Sequence, residues 1–321
     1  MKHNLKITIL LFSMFIITQF IGLYVVNYYS SEKIFDGVLT SVEGPELPFG
    51  LESPEIEQQK DYSSFFYGVL SAFVFAILIL FLLTKFDARF ILKLWFFVVV
   101  IIALGISFFV FTSKLGIEKI YFGIPLIATI PALVLAYIKI YRREFLIHNL
   151  TELFIYPGIA CVFVPILNIY TIIILLVLIS IYDVWAVWHS GIMQKMAKFQ
   201  IEKLNVFSGF FVPYADKKTK QKIKFLKEKY KSRKKLEENL KKNKLKINVA
   251  ILGGGDVIFP IIAAGVMLKT LGLGSALFVI AGATIGVGYL FLFSEKKKFY
   301  PAMPFITAGI FVGMILSWLI F

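Results

Sequence analysis

Cysteine, histidine and charge are all scarce in this chain, and each scarcity removes a class of protein. A single cysteine, Cys161, lies inside an apolar stretch, so an internal disulfide is impossible and a thiolate metal cluster is excluded. The three histidines, His3, His148 and His189, are isolated from one another and from Cys161, so metal-ligand spacing is absent and neither a metal nor another cofactor is expected. A Ser-His-Asp hydrolase fails for want of a buried histidine near a glycine-flanked serine. Charged residues make up only 17% of the 321 positions, 59% are hydrophobic, and mean hydropathy is +0.81. Soluble domains carry about a quarter charged residues and scatter their apolar ones. A soluble domain is excluded.

The apolar residues fall into blocks of about 20, the length that crosses a hydrocarbon core roughly 30 Å thick at about 1.5 Å per residue. Nine blocks are expected to span: 5–27, 64–84, 94–113, 119–138, 149–167, 169–190, 248–268, 271–293 and 300–320. Pro157 and Pro165 interrupt the fifth, and Asn168 alone separates it from the sixth. The first block follows Lys2 and Lys6 as a signal peptide would, but it lacks an Ala-x-Ala-like cleavage site and is expected to stay as an anchor. The expected class is an all-α polytopic membrane protein.

Charge orients the spans. Residues 28–63 hold eight acids against Lys33 and Lys60, whereas residues 191–247 carry 18 Lys and Arg against five acids. Smaller basic groups stand at Lys85, Arg89 and Lys93, at Lys139, Arg142 and Arg143, and at Lys296–Lys298. Basic loops stay cytoplasmic. Nine crossings from a cytoplasmic N-terminus put every strongly basic loop inside, the acidic loop outside and the C-terminus outside. The chain then divides into a six-helix part (1–190), a basic cytoplasmic loop (191–247) and a three-helix part (248–321). The net charge of +14 sits almost wholly in that loop. Beside a bilayer, a polybasic segment with few aromatics points to anionic lipid headgroups rather than nucleic acid. Ile223, Leu226, Tyr230, Leu236 and Leu240 have rough helical spacing within it.

Within the apolar blocks, ionisable groups are almost absent. Asp183 sits in Ile181-Tyr182-Asp183-Val184-Trp185, and Asp256 follows Leu252-Gly253-Gly254-Gly255. His148 and Glu152 begin the fifth block, where they are expected to snorkel to the cytoplasmic surface. An ionisable group at depth costs several kcal/mol and is by default a functional candidate. Asp183 lies 12 residues before Lys195 and Asp256 lies 10 after Lys246, in spans of opposite direction. At about 1.5 Å per residue they lie at similar heights, roughly 18 and 15 Å from those lysines. Two facing carboxyls in a low-dielectric site do not both ionise. One then takes a proton from water while the other donates to a carbonyl oxygen, which is the chemistry of metal-free peptide hydrolysis. Taken singly, each feature has a plainer reading: an ion path or helix-pairing bond for the aspartates, close packing for the glycines, interface packing for Tyr182.

Tyr182-Asp183, a long polar loop, and Gly253-Gly254-Gly255-Asp256 are similar to the Tyr-Asp and Gly-x-Gly-Asp signatures of the presenilin and signal-peptide-peptidase superfamily. Pro301-Ala302-Met303 resembles its Pro-Ala-Leu signature on the last helix, with Met in place of Leu. Pro131-Ala132-Leu133 precedes both aspartates and is taken as coincidence. The nine-span topology resembles the presenilin orientation, opposite to that of signal peptide peptidases, and the compact chain looks like archaeal homologues.

The resemblance implies an intramembrane aspartyl endopeptidase acting on transmembrane segments, with Asp183 and Asp256 catalytic. It implies that Tyr182, Gly253, Gly255, Pro301, Ala302 and Met303 shape the site and help seat an unwound substrate strand. It also implies a prokaryotic cell-membrane protein without an obligatory partner subunit. Two alternatives stand beside it. Prepilin-type peptidases also carry Gly-x-Gly-Asp, usually with a lysine one residue on, where this chain has Val257-Ile258. A transporter or channel using paired aspartates would be expected to show an inverted repeat, and none is visible.

Overall fold

The computed structural model describes residues 5–30, 32–35, 38–41, 44–51, 59–85, 88–117, 120–121, 123–142, 144–189, 207–214, 248–294 and 300–320. The helices in chain order are α1 (Leu5–Tyr29), α2 (Gln59–Lys85), α3 (Arg89–Lys114), α4 (Leu126–Tyr137), α5 (Phe145–Phe163), α6 (Ile169–Val184), α7 (Gly254–Leu271), α8 (Leu273–Phe293) and α9 (Met303–Ile320). Single π-helical turns extend α4 over Ile138–Arg142 and α6 over Trp185–His189. Three antiparallel two-stranded pairs complete the described elements: β1 (Glu32–Phe35) with β2 (Val38–Ser41), β3 (Ile120–Tyr121) with β4 (Ile124–Pro125), and β5 (Gly209–Tyr214) with β6 (Asn248–Gly253).

Among the described residues seven helices are long and apolar enough to cross a membrane: α1, α3, α5, α6 with its π turn, α7, α8 and α9. In the expected fourth span Ile120–Tyr121 pairs with Ile124–Pro125, so the regular helix α4 begins only at Leu126 and runs for 12 residues before its π turn. The expected seventh span also begins late. Residues 248–253 pair with β5, and the helix starts only at Gly254. Depth counted at helical rise from Lys246 therefore does not apply to Asp256. The fifth span sits one turn earlier than expected, running through Pro157 and ending at Phe163, before Pro165. The candidate amphipathic segment 223–240 lies outside the described residues, as does most of 191–247.

Local chemistry sets the helix boundaries. Asn168 caps α6 by accepting from the Thr171 N–H at 2.9 Å, while the Thr171 hydroxyl receives the Asn168 N–H at 2.8 Å. Gly272 turns the chain between α7 and α8 at φ 88°, a conformation that other residues rarely adopt.

The most enclosed of the spanning helices is α7, buried from Pro260 through Lys269. It lies against α1, where Gln19 Nε2 donates to the Val257 carbonyl at 3.1 Å and Ile261 fills the space over Gly22. It also lies against α5, where Val164 packs on Gly265. Helices α8 and α9 approach very closely. A Cβ on Gly282 would lie 2.0 Å from the Gly309 carbonyl oxygen, and one on Gly286 would lie 2.5 Å from that of Phe305. Small residues at four-residue spacing let two backbones touch where lipid supplies no hydrophobic drive.

Candidate active site

The two aspartates are delivered by different kinds of local structure. Asp183 is the penultimate residue of α6, just before the π turn over Trp185–His189. It is buried, at 7% exposure. Its Oδ2 accepts the Met303 N–H at 3.0 Å, and Met303 is the first residue of α9. Helix N-termini present free N–H groups and a partial positive charge, so a carboxylate there is held in place and its charge is favoured. One turn further, Ser180 Oγ and Thr307 Oγ1 bond at 2.8 Å and tie the same two helices together. These contacts fix the position of Asp183.

Asp256 stands in the first turn of α7, with Gly253 as the N-cap. Strand β6 runs into this helix without an intervening loop, because Gly253 is at once the last strand residue and the cap. A Cβ on Gly253 would lie 3.1 Å from Asp256 Oδ2, so the glycine lets the carboxylate fold back over the helix start. Helix α7 lies in contact with α6, the helix that carries Asp183. Each carboxylate therefore sits at the N-terminus of a helix, and the helices that carry them are neighbours.

The remaining expected residues divide. Pro301, Ala302 and Met303 are all buried, with Met303 on Asp183 as described. Tyr182, next to Asp183, is 40% exposed, and its ring is tilted toward that of Trp185 at 6.3 Å between centroids. Gly255 has open surroundings, since a Cβ there would meet only the Phe259 ring at 3.7 Å. The constrained glycine is the middle one. A Cβ on Gly254 would lie 2.7 Å from Ser208 Oγ and 3.0 Å from Tyr156 Oη. Neither Tyr156 nor Ser208 stood out in the sequence.

His148 and Glu152 do not snorkel. They are 5% and 1% exposed, and Glu152 Oε1 holds Lys139 Nζ at 2.5 Å. The sequence also hid β5, whose signal is the short apolar run Phe210-Phe211-Val212 inside a strongly basic segment. On the β5–β6 hairpin Phe210, Val212, Ala250 and Leu252 share one buried face, while Val249 and Ile251 lie exposed on the other.

The helix bundle thus sets two carboxylates, Asp183 and Asp256, at two helix starts, one of them cupped by a glycine run. A family model described as signal-peptide peptidase, presenilin aspartyl protease matches residues 47–321, and the chain belongs to that family. The fold agrees. A presenilin family intramembrane aspartate protease solved in a C222 crystal form superposes with TM-score 0.58 at 16% identity, over 98% of this chain and 99% of the other. One solved in a P2 form gives 0.55 at 18% identity, over 97% of each. No curated protein sequence matches the chain. The family assignment sets aside the prepilin-type alternative.

Proposed function

We propose that the protein is an intramembrane aspartyl endopeptidase whose catalytic pair is Asp183 and Asp256. The observation that carries this reading is the seating of each carboxylate at a helix N-terminus, on helices α6 and α7 that lie in contact. Two helix ends favour negative charge, while mutual repulsion disfavours a second one, so the pair holds one shared proton. The ionised member takes a proton from water as its oxygen attacks the scissile carbonyl carbon. The protonated member gives its proton to the carbonyl oxygen as that atom gains charge. Collapse of the tetrahedral species breaks the C–N bond, with the proton taken from water delivered to the leaving nitrogen while the other aspartate recovers a proton from a hydroxyl of the diol. The pair titrates as a unit, and neither role belongs to one aspartate alone.

The substrate is a transmembrane segment that must be unwound before its backbone is cut. Residues of β6 that pair with Gly209 and Phe211, namely Gly253 and Ile251, turn their own N–H and C=O groups away from β5. That edge leads toward Asp256, which folds back over its Gly253 end, so Ile251 and Val249 are the residues that suit an added extended strand. Pro301 and Ala302 precede Met303, whose N–H meets Asp183 at the start of α9. Charge alternation supports a cytoplasmic N-terminus, an outside C-terminus and nine crossings in a prokaryotic cell membrane. Residues 191–247 meet anionic headgroups, an attraction that weakens as salt rises. The chain acts without an obligatory partner subunit.

Purified protein in detergent is expected to cleave a single-span peptide. Asp183→Asn and Asp256→Asn are each expected to lower the rate by about 10³-fold or more, the scale of a lost acid–base group. Cleavage that survives either substitution removes that aspartate from the mechanism.

A further inference from the structure

At the start of α5 lies a second group of buried polar side chains, and its partners are the backbone of β5. His148 Nε2 donates to the Gly209 carbonyl at 2.9 Å, and the Gly209 N–H reaches Glu152 Oε1 at 3.5 Å. Two residues on, Asn149 accepts the Phe211 N–H at 3.1 Å and donates to the Phe211 carbonyl at 3.0 Å. Gly209 and Phe211 alternate along the strand, so both turn the same edge of β5 away from β6. Pro213 is next on that edge and has no N–H to offer. Lys139 braces the arrangement. Its ammonium holds Glu152 at 2.5 Å and donates to His148 Nδ1 at 3.2 Å, which leaves the Nε2 proton for Gly209. The side chains of α5 thus make the hydrogen bonds that a third strand would make.

We infer that His148, Asn149 and Glu152 act as a surrogate strand: positioning residues that lock the β5–β6 hairpin and so determine which peptide bond of a substrate is cut. The inference rests on the protease reading above. Strand β6 passes into Gly253 and Asp256 without slack, so the height of the hairpin fixes where an added strand lies relative to the carboxylates. A slip of one residue moves that strand by about 3.3 Å and turns every side chain to the other face. With one edge of the hairpin occupied by α5, the β6 edge is the one proposed to accept a strand. A role confined to holding the fold would lower the yield of active enzyme and leave the cut position unchanged.

Full-length enzyme in detergent, a single-span peptide of known sequence and mass spectrometry of both products decide between these. Asn149→Ala removes the paired bonds to Phe211. It is expected to lower kcat about tenfold, the scale of one buried amide pair. The share of cuts at the main bond is expected to fall about twofold, with new products one or two bonds away. His148→Phe keeps the ring contact with Phe211, 4.7 Å between centroids, and loses the bond to Gly209. It is expected to shift the products in the same way and carries the test if Asn149→Ala does not fold. Products cut at the same bonds in wild-type proportions, however slowly, overturn the inference and leave the protease reading intact. A wild-type enzyme without cleavage that depends on Asp183 overturns both.

Discussion

Asp183 and Met303 come from helices far apart in sequence, yet a single N–H···O contact of 3.0 Å joins them. The Pro-Ala-Met segment makes that contact possible by breaking the chain before α9, so that a free N–H faces the carboxylate. Both aspartates were legible in the sequence because charge inside an apolar block is rare. The importance of Gly254 was not, since three consecutive glycines look alike until Tyr156 and Ser208 are placed beside them. Gly254→Ala is expected to destabilise the protein by about 1 kcal/mol through overpacking against the buried Tyr156 ring, read as a lower melting temperature in detergent. Gly255→Ala, with nothing closer than 3.7 Å, is expected to melt with the wild type. Equal melting temperatures for the two variants would contradict the site as described.

Hydropathy located most of the helices because apolar runs of spanning length admit few other structures. It misplaced the beginning of α7. Val249-Ala250-Ile251-Leu252 is continuously apolar, and over so short a run strand and helix start cannot be separated by periodicity. The deciding partner, β5, lies upstream across a basic segment, a pairing that no local signal announces. The same limit hid the depth of His148 and Glu152, which are buried because β5 folds over them.

Between α8 and α9, by contrast, the reason for closeness is written in Gly282, Gly286, Gly309 and Gly313. Gly309→Ala would place a Cβ 2.1 Å from the Gly282 carbonyl oxygen. It is expected to cost about 3 kcal/mol as the helices are forced apart. Since α9 begins at Met303, activity is expected to fall with stability. A variant as stable and active as wild type would show that the two helices are not packed as closely as described.

Over the whole molecule, composition and charge placed the chain in a bilayer and suggested its orientation, while the family match and the shared fold place it among intramembrane aspartyl proteases. The proposed topology of nine crossings from a cytoplasmic N-terminus puts residue 46 outside and residue 208 inside. In a Cys161→Ala background, Glu46→Cys is expected to react with a membrane-impermeant thiol reagent in intact cells. Ser208→Cys is expected to react only after the membrane is opened. The reverse pattern would invert the topology.

The central claim is that two aspartates brought by α6 and α7 make one site. A hydroxyl-bearing peptide mimic of the tetrahedral intermediate must be held by both. Equilibrium binding of such a mimic to detergent-purified protein tests this without a known substrate. The account predicts saturable binding by the wild type and a loss of at least about 100-fold in affinity for Asp183→Asn and for Asp256→Asn alike. Undiminished binding to either variant would contradict it.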